Sequence, residues 1–238
     1  IYLCPDCSAK QLPDQPPAGV LKVIYDYKNL SGLTFSELTE KQFLQLLPVD
    51  HLTSFPNLRV GHTPLYEINA LDGMLHDFEL YLKDDSQNPT FSFKDRASAL
   101  VSAFAKENGI ETIVAASTGN AGSSLAGICA SQGQKAIIFV PATAPKAKLT
   151  QIMMYGAKLV PVAGNYDQAF DLSIEATKHF GWYNRNTAYN PLTIEGKKTV
   201  SFELFSQLKA NVPDFIFVPV GDGVIISGVY KGFEDLLQ

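Results

Sequence analysis

The sequence predicts an α/β protein whose parallel or mixed sheet is covered by helices, and three observations carry that prediction. From Thr112 onward, short β-branched runs alternate with amphipathic patterns of about 10–15 residues. The runs TIVAA, KAIIFV and KLVPV are almost continuously apolar, as strands buried on both faces are. Each ends in turn residues, STGN, PATAP and AGN, before the next helical pattern opens.

The elements follow in order. Residues 1–60 differ from the rest and read as an N-terminal extension: QLPDQPPAG is proline-rich, and SELTEKQFLQLLP is a short amphipathic helix capped at Ser36, with Glu40 and Lys41 in its early turns. The body spans 61–238, with a smaller subdomain at roughly 95–190. In NPTFSFKDRAS, Ser92 is an N-cap that places Phe93, Lys94, Asp95 and Arg96 in the first turn of a helix running through ASALVSAFAKENG. TIVAA leads through STGN into AGSSLAGICASQG, KAIIFV through PATAP into KAKLTQIMMYG, and KLVPV through AGN into YDQAFDLSIEATKHFG. A helical GKKTVSFELFSQLKA then precedes a strand, DFIFVPV, the turn GDG and a last helical segment, VIISGVYKGFEDLLQ. In such sheets ligands bind beyond the carboxyl ends of the strands, which is where STGN and GDG fall.

The totals exclude several partners. The 238 residues carry 19 basic and 24 acidic side chains, a net charge of −5 with no basic block, so nucleic acid is not an expected partner. No run of about 18 apolar residues exists to span a bilayer. IYLCPDC lacks the order of a secretory signal, and the expected home is cytoplasmic. The three cysteines make no disulfide framework, and Cys129 reads as a core thiol. Cys4 and Cys7 have the CxxC spacing of a zinc knuckle, two of the four ligands such a site needs, with a pair of reduced thiols as the alternative. His51, His62, His76 and His179 show no metal spacing.

Lys94 raises the chemical question. The positive end of a helix dipole disfavours an ammonium in the first turn, so the amine's pKa falls. A neutral lysine amine is a nucleophile toward aldehydes. The alternative is a lysine paired with Asp95 or with solvent. STGNAGSS sets Gly119 and Gly122 around Asn120 at a strand-to-helix turn, and GDGVIISG repeats that arrangement at Gly221 and Gly223. Backbone N–H groups at such turns bind anions. Two anion loops and a nucleophilic lysine together point to a phosphorylated aldehyde.

KDDSQNPTFSFKDR, ASTGNAGSS, NPLTIEGKKTVSFEL and PVGDGVIISGVYKGF resemble, in order and spacing, the motifs of pyridoxal-phosphate enzymes of the tryptophan-synthase-β fold class (fold type II). VGHTPL is similar to that class's opening segment, and NP followed by EGKKT is closest to the threonine synthases. The resemblance covers Val60 to the end. It implies pyridoxal 5′-phosphate carried by Lys94 as a Schiff base, with Asn120 hydrogen-bonded to its O3′. It also implies a phosphate loop of Gly221, Asp222, Gly223, Val224 and Ile225, and a substrate-carboxylate pocket of Ser117, Thr118, Gly119 and Ala121. The implied protein is a homodimeric lyase of threonine biosynthesis acting on a small amino-acid substrate. Members of the class continue well beyond the point matched by Gln238, so the chain is expected to lack the C-terminal part of the fold.

Five departures bear on the substrate. Phe91 stands where glycine is usual and adds bulk near the lysine. Thr187, Ala188 and Thr193 replace an Asn, Ser and Arg set that holds the substrate phosphate, and Asp222 replaces an asparagine. Arg185, Lys197 and Lys198 are near in sequence and could compensate, but read first as solvated surface charges. These departures leave open a sister β-replacement or elimination enzyme, such as a cysteate synthase or an amino-acid dehydratase, and a catalytically silent relative.

Overall fold

In a computed structural model, residues 2–12, 15 and 17–238 are described, Lys148 by its backbone alone. The chain opens on α1 (Pro5–Ser8), enclosed by a bridge between Leu3 and Val20 and a Cys4 N–H to Gly19 hydrogen bond of 2.8 Å. Next come α2 (Tyr27–Leu30) and α3 (Phe35–Glu40). The cap of α3 is Thr34, not Ser36: Thr34 and Glu37 form a reciprocal capping box. That helix is also shorter than its apolar pattern predicts. Gln42 and Phe43 turn left-handed, and a 3₁₀ turn over Leu44–Leu46 delivers Phe43, Leu46 and Leu47 onto Leu100, Ala103 and Phe202.

Strands β1 (Leu65–Glu67), β2 (Ala70–Leu71), β3 (Met74–Leu75) and β4 (Tyr81–Lys83) form two small antiparallel ladders, β1 with β4 and β2 with β3. The β2–β3 hairpin turns on Asp72 and Gly73, both at positive φ as a two-residue turn requires.

The remainder is the alternating body: α4 (Lys94–Glu107), β5 (Thr112–Ala116), α5 (Asn120–Gln132), β6 (Lys135–Pro141), α6 (Lys146–Met154), β7 (Lys158–Val162), α7 (Tyr166–Phe180), β8 (Tyr183–Asn184), α8 (Leu192–Gln207) and α9 (Val224–Leu236). The strands pair in parallel in the order β7-β6-β5-β8. Ile113, Ala115, Ile138 and Val140 face Val101, Leu125 and Ile152, while Val114, Ala116, Ile137 and Phe139 face Ala169 and Ala176. Both faces are therefore covered, which explains the unbroken apolar runs. Burying each such leucine or isoleucine contributes roughly 1.5–3 kcal/mol. Cys129 lies in this core, as its pattern predicts.

Helix α8 is wedged between α4 and α9. A Cβ at Gly196 would lie 2.4 Å from the Arg96 carbonyl oxygen, and one at Gly228 would lie 2.8 Å from Lys197 Cβ. Close helix contact thus depends on those two positions lacking side chains. DFIFVPV, predicted as a strand, is not one: residues 214–220 have no strand partner among the described residues. Phe215 and Phe217 are 82% and 91% exposed. A strand is defined by the neighbour that takes its N–H and C=O groups, and an apolar run cannot supply that neighbour itself.

Candidate functional site

The site is built around the first turn of α4. Ser92 Oγ accepts the Lys94 N–H at 3.0 Å, but the helix begins at Lys94 with Phe93 as its N-cap and no side-chain cap bond, so the cap falls one residue after the Ser92 that the sequence predicts. Asp95 does not neutralise the lysine, contrary to the pairing alternative. It is buried and receives Thr90 N–H at 2.7 Å and Thr90 Oγ1–H at 2.5 Å. Lys94 Nζ lies 5.9 Å from the Phe93 ring centroid. Burial and the nearby Arg185 charge lower its pKa, against a smaller opposing pull from Asp222. Phe91 is turned largely to solvent, 75% exposed. Its departure from glycine is felt in the backbone instead, at φ +63°.

A second set of contacts, missed from sequence, holds this turn in place. Arg96 is buried and donates from Nε to Asp85 Oδ2 and from Nη1 to Glu203 Oε1, each at 2.6 Å. The His62 N–H and Lys83 Nζ also reach Glu203, at 2.9 and 2.7 Å. VGHTPL, KDD, KDR and FEL are therefore knit together by one ion network. Their regular spacing signalled a family but not this joint role.

At the carboxyl end of β5, Ser117, Thr118 and Gly119 lead into α5, which Asn120 and Ala121 open. Gly119 N–H donates to Ser117 Oγ at 3.2 Å, and the Asn120 side chain is exposed. Before α9, Asp222 Oδ1 accepts the Val224 N–H at 3.0 Å, so the carboxylate caps the helix instead of standing free in the loop. Gly223 has φ +78°, and an added Cβ at Gly119, Gly221 or Gly223 would meet nothing within 4 Å. Both loops present open backbone. Ile225 lies half-buried one residue further along α9.

The expectation of solvated Arg185, Lys197 and Lys198 is overturned: all three are 0% exposed. Arg185 follows β8 and, among the described residues, donates to neutral oxygens alone, Nε to Ser98 Oγ at 3.3 Å, Nη1 to Thr187 Oγ1 at 2.9 Å and Nη2 to the Lys94 carbonyl at 3.5 Å. Burial lowers its pKa to about 10. Lys197 Nζ has no hydrogen-bond partner among the described residues. Burial, then Arg185 and Lys94, lower its pKa to about 7, with Asp222 opposing. Lys198, one residue on, is fully paired: its Nζ lies 2.5 Å from both Glu195 Oε2 and Asp235 Oδ2. Tyr25 and Tyr27 donate to those same carboxylates at 2.6 and 2.7 Å, so the N-terminal extension is anchored here. Adjacent helical residues diverge by about 100°. One lysine therefore faces the site and the other a structural cluster.

Tyr166, also unforeseen, donates to the Ala116 carbonyl at 3.3 Å, and its ionisation responds to Arg185 and Asp222. The structure thus gathers Lys94, Arg185, Lys197, Asp222 and Tyr166 about the ends of β5 and β8. An amine with a lowered pKa, two buried cations without carboxylate partners and open glycine backbones fit a phosphorylated aldehyde. Cys4 and Cys7 lie elsewhere. Hydrogen bonds from the backbone and side chain of Cys7 hold the Cys4 thiol below its ordinary range. No group of three or more potential metal ligands is found among the described residues, where Cys4 and Cys7 supply two of the four a zinc site needs.

This fold, with its lysine and paired anion loops, defines a class. Residues 57–238 match the sequence pattern of the family described as pyridoxal-phosphate dependent enzyme, and the chain belongs to that family. Among individual proteins, it is 40% identical to threonine synthase of Methanocaldococcus jannaschii over 91% of its own length and 55% of that protein's. It is 34% identical to threonine synthase of Methanosarcina acetivorans, over 99% of this chain and 56% of that one. The chain spans about half the length of the curated relatives it matches. Maize serine racemase superposes with a TM-score of 0.66 at 27% identity, over 75% of this chain and 54% of that one. O-ureido-L-serine synthase does so with 0.65 at 25%, over 74% and 57%. No described helix is long and apolar enough to cross a membrane.

Proposed function

We propose that the protein is a threonine synthase, converting O-phospho-L-homoserine and water to L-threonine and phosphate. The observation that carries this is the unpaired, pKa-lowered Lys94 amine set beside two buried cations, on a chain that matches threonine synthases over nine-tenths of its length.

Lys94 would hold the cofactor, Asn120 its O3′, and the backbone of Gly221 to Ile225 its phosphate. When bound, pyridoxal phosphate supplies an electron sink for negative charge developing at the substrate's Cα and Cβ. The Lys94 amine, once displaced by the substrate amine, would take the Cα proton and serve transfers at Cβ and Cγ. Burial and Arg185 suit it to that task by favouring its neutral form. Ser117, Thr118, Gly119 and Ala121 would orient the α-carboxylate through the N-terminus of α5. Asp222, tied to Val224 N–H, keeps its charge on the positive end of α9. In this reading the smaller subdomain at 95–190 carries the carboxylate pocket, and the rest of the body carries the phosphate loop. The working state as a cytoplasmic homodimer rests on the resemblance alone.

The test is the full-length gene product reconstituted with pyridoxal phosphate and given O-phospho-L-homoserine. Threonine and phosphate appearing one for one is the expected result. Lysine-bound cofactor without either product would assign the chemistry to a sister β-replacement or elimination substrate. Absence of bound cofactor would leave a silent relative.

A further inference from the structure

We infer that Arg185 and Lys197 form the subsite for the leaving phosphate of the amino-acid substrate, replacing the fork that Thr187, Ala188 and Thr193 do not supply. The inference rests on the reaction proposed above and names the residues that would select a phosphorylated substrate.

Among the described residues, nothing of opposite charge touches the two side chains. Arg185 is fully buried with three neutral acceptors, and Lys197 is fully buried with none. Buried cations are normally paired, and leaving one unpaired is strongly unfavourable. Lys198 shows what the same helix does when a lysine is structural, with two carboxylates at 2.5 Å. The contrast assigns Lys197 to a ligand.

Charge defines that ligand. Arg185 acts on the ionisation of both Lys94 and Lys197; Asp222 is the carboxylate acting on both lysines, and Arg185 feels Asp222 together with Asp95, whose carboxylate is already bonded to Thr90. Asp222 is already turned to the Val224 N–H. With Lys94 committed to the cofactor's carbonyl, two cations remain. A phosphate monoester carries nearly two negative charges near neutral pH and matches them, whereas a carboxylate would leave one unmatched.

Position completes the argument. Arg185 N–H bonds to Val114 O at 2.8 Å and Ala116 N–H to Asn186 Oδ1 at 2.7 Å, so Arg185 sits alongside the strand end from which the Ser117–Ala121 pocket springs. Ser98 and Thr187 hydroxyls hold the guanidinium in one orientation. Thr187, a departure from the usual phosphate ligands, thus serves as an aligning acceptor for the fork. Lys197 approaches from α8, its Cβ packed against Gly228 near the start of α9.

The test uses the full-length holoenzyme, whose cofactor already fills its own phosphate site, with inorganic phosphate as the probe. Phosphate should raise the melting temperature and compete with O-phospho-L-homoserine. Lys197→Met should weaken phosphate binding about tenfold or more and raise KM by a similar factor, as loss of a charged hydrogen-bonding partner does. Pyridoxal phosphate affinity and absorbance should stay unchanged, and the melting temperature without phosphate should not fall. Arg185→Lys, which keeps the charge and loses the fork, should fall between wild type and Arg185→Met. Weakened cofactor binding with unchanged phosphate competition would overturn the inference by giving the pair to the cofactor. Unchanged phosphate binding with a lower melting temperature would overturn it in favour of a structural role. If phosphate binds through these residues but no threonine forms, the subsite stands and the proposed reaction fails.

Discussion

Arg96 and Glu203 meet end to end, Nη1 to Oε1 at 2.6 Å and Nη2 to Oε2 at 2.9 Å, and this buried fork ties the first turn of α4 to the middle of α8. Burial opposes the Glu203 charge, but hydrogen bonds and charge from Arg96, with help from Lys83, hold its pKa at about 2. Because the folded value lies below the unfolded one, the contribution is complete above about pH 4.5 and is lost as pH falls toward 2. Glu203→Gln should cost roughly 3–5 kcal/mol at neutral pH by leaving Arg96 partly uncompensated, and should flatten the acid limb of a stability-against-pH curve. Denaturant titrations from pH 2 to 7 check both.

Replacing Lys94 with Ala should abolish the visible absorbance of lysine-bound cofactor and the covalent adduct trapped by borohydride. An adduct persisting in Lys94→Ala would move the nucleophile to another lysine.

Lys197 faces Arg185 from the end of β8, Lys94 from α4 and Asp222 from the turn before α9. Its folded pKa of about 7 lies below its ordinary 10.5, so its charge burdens the folded state fully below pH 7. That burden is relieved as pH rises from about 7 to 10.5. The melting temperature of Lys197→Met relative to wild type should therefore be highest near pH 6 and converge toward pH 10, as paired thermal scans would show.

Tyr25→Phe removes the donor to Glu195 inside a buried cluster that includes Lys198 and Lys231. The expected cost is about 1–3 kcal/mol, with faster protease cleavage within residues 1–60 because Tyr25 is one of the anchors of that segment. Equal cleavage rates in both proteins would show that the extension docks by other contacts.

Phe91→Gly relieves a left-handed backbone at φ +63° and sacrifices little buried area, since Phe91 is 75% exposed. Stability should rise by about 1 kcal/mol, the left-handed penalty less the added freedom of the unfolded chain. A chemical-denaturation comparison of the two proteins decides it.

The alternation of strands and helices from Thr112 to Phe180 and the glycine turns before α5 and α9 were legible in the sequence, because periodicity and turn chemistry act over a few neighbouring residues. Cys129 as a core thiol followed from the same local rules, whereas the cap of the lysine turn fell on Phe93 and not on Ser92. Tertiary structure decided which charges are buried. Lys197 and Lys198 lie where α8 is pressed between α4 and α9, and Arg185 is buried at the end of β8 against Ser98; nothing within their own segments distinguishes a covered stretch from a surface one. Thr34 took the cap from Ser36 because Glu37 could answer it across the turn. DFIFVPV has strand chemistry without a strand, since pairing is supplied by a neighbour. Local physics wrote the elements and the turn that carries Lys94; packing buried the cations around it.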